Sequence, residues 1–124
     1  MKTILVVDDS ETVRHQVRAA LAGKGYGIIE CVDGVEGLDA IRSNDDLVLV
    51  LCDVDMPRMN GLKLVAEVKR LGKPVPILML TTEVDPALVR RARELGCKGW
   101  IVKPFKPTLL AAAVKKFVPT DGNA

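Results

Sequence analysis

The sequence predicts an α/β fold, a (βα)5 doubly wound sheet of five parallel strands, and three observations predict it. Short, unbroken apolar runs recur five times, as strands buried on both faces of a parallel sheet require. Between consecutive runs, apolar residues fall three and four positions apart, the spacing of an amphipathic helix. Strict strand–helix alternation with right-handed crossovers then lays helices on both faces of one sheet. A chain of 124 residues, nearly half of them hydrophobic, suits one such domain over residues 1–118, with "PTDGNA" (119–124) as a short tail.

The elements follow in order. "ILVV" (4–7) is the first strand, and Val13, Val17 and Leu21 mark the inward face of the first helix. "GIIEC" (27–31) is the second strand, and Glu30 within it predicts a place at the sheet edge. Val35, Leu38 and Ile41 are expected to face the core from the second helix. "LVLVLC" (47–52) is the third strand, followed by a helix with Leu64, Val65, Val68 and Leu71 inward. "PILML" (76–80) is the fourth; its helix starts at Asp85-Pro86, carries Leu88, Ala92 and Leu95, and stops at Gly96. "GWIV" (99–102) is the fifth, and the last helix starts at Lys106-Pro107 and turns Leu109, Leu110, Ala113, Val114 and Phe117 inward. In the flavodoxin-like order 2-1-3-4-5, strands one and three are neighbours at the switch point, and ligands bind outside the carboxyl ends of the strands.

Composition narrows the function classes. Three cysteines, Cys31, Cys52 and Cys97, are scattered and outside CxxC spacing, which argues against a disulfide framework or zinc site and for a reducing cytoplasm. No apolar run reaches the length of a signal peptide core or a membrane span. Net charge is +2, yet the segment 84–118 carries eight cations against Asp85 and Glu94. With one Trp, one Tyr and two Phe there is little to stack on bases, so the basic third is read as a surface for a protein partner, not nucleic acid. His15, without a partnering Cys, Asp or Ser pattern, is read as a surface residue.

The strand ends carry the chemistry. Strand one finishes in Asp8 and Asp9, strand three in Asp53, strand four in Thr81 and Thr82, and strand five in Lys103. Each follows an apolar run directly, so the topology gathers three carboxylates, hydroxyls and an ammonium on one rim. Carboxylates within about 5 Å of one another repel, and either a cation neutralises them or some take up protons. All-oxygen ligands suit Mg²⁺. The loop "DDSETVRH" contains no glycine, which argues against phosphate-cradling nucleotide folds.

Together "VVDDS", "LCDVDMPRMNG", "LTTE" and "KGWIVKPF" resemble, in order and spacing, the receiver domain of bacterial two-component response regulators, over about residues 3–118. The nearest type is the stand-alone chemotaxis regulator. The resemblance implies that Asp53 accepts a phosphoryl group from the phosphohistidine of a sensor kinase or phosphotransfer protein. It implies that Asp9, Asp53 and the main-chain carbonyl of Asp55 ligate Mg²⁺, with Asp8 acting partly through water. Lys103 and Thr81 are implied to bond phosphoryl oxygens, and Lys103-Pro104 to be cis. Pro57 and Gly61 shape the loop that presents the Asp55 carbonyl. The resemblance implies that Asp55 and Glu83 border the path of the hydrolytic water and set phosphoryl lifetime, by orienting water or repelling it; both readings stay open.

Thr81 and Trp100 are the implied switch pair. Trp100 departs from the Tyr or Phe usual there, and its bulk argues for an outward binding anchor. Arg90, Arg93, Lys98, Trp100 and Lys106 form the implied partner face. The expected protein is a cytoplasmic monomer, not an enzyme beyond its own phosphorylation and dephosphorylation. Its expected process is chemotaxis through a flagellar switch component, with cell-cycle or developmental phosphorelay as the alternative. An aspartyl-nucleophile phosphatase of the haloacid dehalogenase type shares "DVD", but it places its nucleophile on the first strand and its acidic pair late, the reverse of the order here. A receiver fold that is no longer phosphorylated is disfavoured because every acceptor-site residue is present.

Overall fold

The computed structural model describes residues 2–56, 58–82 and 85–118. Pro57, Glu83 and the tail expected at 119–124 lie outside the described residues. Ten elements alternate: β1 (Lys2–Val7), α1 (Glu11–Leu21), β2 (Tyr26–Cys31), α2 (Gly34–Ser43), β3 (Leu47–Asp53), α3 (Gly61–Arg70), β4 (Ile77–Thr81), α4 (Pro86–Glu94), β5 (Gly99–Val102) and α5 (Pro107–Phe117). All strand pairs are parallel, in the order β2-β1-β3-β4-β5, as predicted.

Strand alternation sends successive side chains to opposite faces, so each apolar run feeds two cores. Leu5, Val7, Val50, Cys52 and Met79 meet Leu38 and Ile41 of α2, Leu64, Val65 and Val68 of α3, and Ala92 of α4. Ile4, Val6, Leu49, Leu51, Leu78, Leu80 and Ile101 meet Val17 and Leu21 of α1 and Leu110 and Val114 of α5. Each fully buried Leu or Ile contributes roughly 2 kcal/mol, which is why the central strands tolerate no polar interruption. Glu30 does sit on an edge strand, where Arg14 and Arg18 of α1 hold it at 3.2 and 2.7 Å.

Two expectations fail. Val35 is 40% and Leu109 58% exposed, although both were expected to face the core. In α2 the buried stripe runs through Gly34, Gly37, Leu38 and Ile41, and in α5 through Leu110 and Val114. At 100° per residue each outlier lies about 110° round its helix from the stripe's centre. Spacings of three and four residues matched them to Leu38 and to Ala113, but the stripe leans the other way.

Four helices are capped at the carboxyl rim of the sheet. Ser10 accepts from the Val13 N–H, Asp33 from Glu36, Asn60 from Lys63 and Asp85 from Ala87. The helix starts therefore share that rim with the strand ends, and they fix the loops between them.

Candidate functional site

Asp8 leaves β1 still bound to the sheet: its N–H donates to the Cys31 carbonyl at 3.0 Å. Its carboxylate is fully buried and divided between two donors, the Ser10 N–H at 2.9 Å and the Lys103 ammonium at 2.8 Å. Its carbonyl accepts from Arg14 Nη1 at 2.8 Å. Asp53, the last residue of β3, is 7% exposed, and Lys103 Nζ lies 3.2 Å from its Oδ1. Lys103 reaches both acids because its own N–H donates to the Thr81 carbonyl at 2.7 Å, carrying the β4–β5 pairing one residue past β5. Lys103-Pro104 is cis.

Asp8, Asp9 and Asp53 each offer an oxygen within 4.8 Å of the others, with Asp9 on the open side. Thr81 is buried at the end of β4, one residue beyond Leu80, which lies opposite Asp53. Of the sequence-predicted strand-end residues, Asp8, Asp9, Asp53 and Lys103 thus converge, Thr81 stands at the neighbouring strand end, and Thr82 is exposed. Asp55 is exposed in the following loop, and its carboxylate is not in the cluster. Glu83 is outside the described residues.

Electrostatics follow from this crowding. Burial, then the neighbouring charge of Asp8, pushes the Asp53 carboxyl above its usual range, against the pull of Lys103. Burial alone would depress the Lys103 ammonium, but the hydrogen bond to Asp8 and the charges of both acids outweigh it and raise it. Burial, with the Asp53 charge next to it, pushes the Cys52 thiol up, so it behaves as packing and not as a nucleophile. Of the two remedies for repulsion that the sequence left open, an ammonium already serves in part.

Within β5, Trp100 is half-buried against the core under α3 and α4. Arg90, Arg93, Lys98 and Lys106 are exposed, as is His15.

Sequence reasoning missed two supports. Arg14 ties the Asp8 carbonyl to Glu30 of β2. An acid alone in an apolar strand, with Arg14 and Arg18 one turn apart on the adjoining helix, was a signal for it. Asp33 binds Arg58 at 2.7 Å, joining the loops after β2 and β3. Nothing in the spacing announces that pair.

Comparison with known proteins places this geometry. The chain is 38% identical over 123 residues to a "Chemotaxis protein CheY homolog" of Campylobacter jejuni, covering 97% of this chain and 95% of the relative. It is 38% identical over 121 residues to "Chemotaxis protein CheY1" of Helicobacter pylori, covering 95% and 98%. Among solved structures, Vibrio cholerae CheY4 superposes with a TM-score of 0.88 at 34% identity, covering 95% of this chain and 99% of that one. Residues 4–115 match the family described as the response regulator receiver domain, and with nine-tenths of its length inside that match the chain belongs to it.

Proposed function

We propose that the protein is a phosphoryl-accepting response regulator, with Asp53 as the acceptor. The observation that carries this reading is the Lys103 ammonium set 2.8 Å from Asp8 and 3.2 Å from Asp53 at the ends of three strands. A structural ion pair needs one carboxylate; this arrangement holds a nucleophile and a cation together on a rigid platform and leaves Asp9 open beside them.

The donor set fits a hard divalent cation. It consists of carboxylate oxygens close enough to share one ion, without nitrogen or sulfur ligands among the described residues of the cluster. Asp9, Asp53 and the Asp55 carbonyl would hold Mg²⁺, with Asp8 behind them through water. When bound, Mg²⁺ supplies the positive charge that offsets the acids and the phosphoryl oxygens. An oxygen of Asp53 attacks phosphorus in line, and the P–N bond of the donor phosphohistidine breaks with its electron pair passing to the imidazole. The product is an acyl phosphate on Asp53. Lys103 turns its ammonium to one phosphoryl oxygen and Thr81 its hydroxyl to another, so the protein's contribution is position and charge. Asp55 and Glu83 border the hydrolytic water and tune the lifetime.

The donor is a sensor histidine kinase or phosphotransfer protein, and the protein catalyses only its own phosphorylation and dephosphorylation. Output runs through Thr81 and Trp100 to a face bearing Arg90, Arg93, Lys98 and Lys106, which binds a downstream target. The names of the two chemotaxis relatives support chemotaxis; the proposed target is a flagellar switch component and the proposed acting species a cytoplasmic monomer.

Incubation with acetyl phosphate and Mg²⁺, followed by intact mass and peptide mapping, tests the reading. Wild type should gain one phosphate on the peptide containing Asp53, and Asp53→Asn should gain none. Equal labelling of both proteins would overturn it.

A further inference from the structure

The loop after β3, residues 54–60, carries Asp55 and is fastened at two levels. At its base the Gly61 N–H donates to the Val54 carbonyl at 2.8 Å. The fit is tight: a Cβ on Gly61 would meet the Asp53 carbonyl oxygen and, at 2.7 Å, the Met79 methyl. At its outer end the loop leans on the start of α2. There the Gly34 N–H donates to the Met59 carbonyl at 3.1 Å, and Arg58 Nε donates to Asp33 Oδ2 at 2.7 Å. A Cβ on Gly34 would strike Met59, its own Cβ included at 2.7 Å, so the two loops touch backbone to backbone. Asp55 and Met56 lie between the two fastenings.

The two partners of the outer ion pair differ in kind. Asp33 is a fixed post: its side chain is 6% exposed and its other oxygen caps α2 through the Glu36 N–H at 2.9 Å. The hydrogen bond from Arg58, then that from the Glu36 N–H, holds its carboxyl below the usual range, so it is ionised at neutral pH. Arg58 is the arm, with a side chain 57% exposed and a backbone φ of 65°. A non-glycine residue in that left-handed region is uncommon, and glycine would sit there at lower cost. An arginine there forgoes that ease and reaches a buried acid 25 residues away in sequence.

We infer that Asp33 and Arg58 are positioning residues, a latch between two loops that holds the Asp55 carbonyl where the divalent cation takes it. The inference rests on the metal reading given under the proposed function and deepens it. With the Arg58 end 57% exposed, the pair is screened by solvent and adds little to global stability. Ligand geometry is more sensitive: residues that orient metal ligands without touching the metal change affinity far more than they change folding.

Mg²⁺ titration calorimetry on the full chain tests this with Arg58→Gln, Asp33→Asn, the double variant and Arg58→Gly. Asn keeps the α2 cap, so loss of that helix does not confuse the result. Each single variant should bind Mg²⁺ about tenfold more weakly. The double variant should be no weaker than either, because the two act through one another. Arg58→Gly should weaken binding as well, although it eases the backbone. Amide hydrogen exchange at Asp55 and Met56 should quicken in the variants, while the metal-free unfolding midpoint hardly moves. Variants that bind Mg²⁺ as wild type does overturn the latch and leave the proposed function standing, and so do losses that simply add in the double variant. A wild type that takes up no Mg²⁺ overturns both.

Discussion

Asp53 stands under opposing demands, because a buried carboxylate beside Asp8 resists ionisation, yet the acceptor proposed for it must be ionised to attack phosphorus. Its folded value lies above its unfolded one, so between the two values the folded protein holds a proton that unfolding releases. Stability from this residue is therefore greatest on the acid side and falls as pH rises through the interval. Asp33 runs the other way: Arg58 lowers its value, so its contribution is present at neutral pH and is lost as pH falls through the depressed value. Asp53→Asn keeps the Asp33 term and removes the Asp53 term. In chelated buffer it should be more stable than wild type at neutral pH, with a gap that closes as pH drops towards the ordinary carboxylate range near about 4. Urea denaturation across a pH series reads that gap, and a gap that widens towards acid contradicts the account. The proposed catalytic residues were legible in the sequence because each follows an apolar run directly, and strand order does the rest. Asp33 with Arg58 was not, since that pairing arises only when the loops after β2 and β3 meet at the rim.

At the scale of elements, the five strands were legible for a simple reason: a strand covered on both faces must be apolar throughout, and such runs have few other readings. Helix faces were harder. Val35 and Leu109 have the right spacing and the wrong angle, while Gly37 packs the core without contributing any apolar side chain to the pattern. A Cβ at Gly37 would sit 2.9 Å from one Val7 methyl and 3.1 Å from the other. Val7 is β-branched and fully buried at the end of β1, with no room to turn away. Gly37→Ala therefore sets two effects in opposition. Helix propensity gains about 1 kcal/mol, and overpacking costs about 1–3 kcal/mol. The second should win, giving a net loss of roughly 1 kcal/mol in chemical denaturation. A stabilised variant would show that α2 shifts freely on the sheet.

Across the whole molecule, the acid rim and the basic face share one strand pair. In the β4–β5 register Met79 lies opposite Trp100 and Thr81 opposite Val102. Residues two apart on a strand point to the same face, so Thr81 lies on the side of the sheet where Met79 and Trp100 pack. In the proposed switch, Thr81 gives the phosphoryl group a hydrogen bond that exists only after modification, and its movement changes the space beside Trp100. A bond to a charged group is worth about 1.5–3 kcal/mol, which shifts a two-state equilibrium by roughly ten- to a hundredfold. Lys103 supplies less of this bias, because it is already paired with Asp8 and Asp53 before modification and only exchanges one anionic partner for another. Only a group with different contacts in the two states moves the balance between them. Trp100 is the sole tryptophan, so its fluorescence reports this site without interference. Acetyl phosphate with Mg²⁺ should change that emission in wild type. Thr81→Ala should still take the phosphate by mass yet lose most of the change, and should bind the target as weakly as the unmodified protein. A full emission change in Thr81→Ala would mean that added charge alone drives the switch and that the hydroxyl is a bystander.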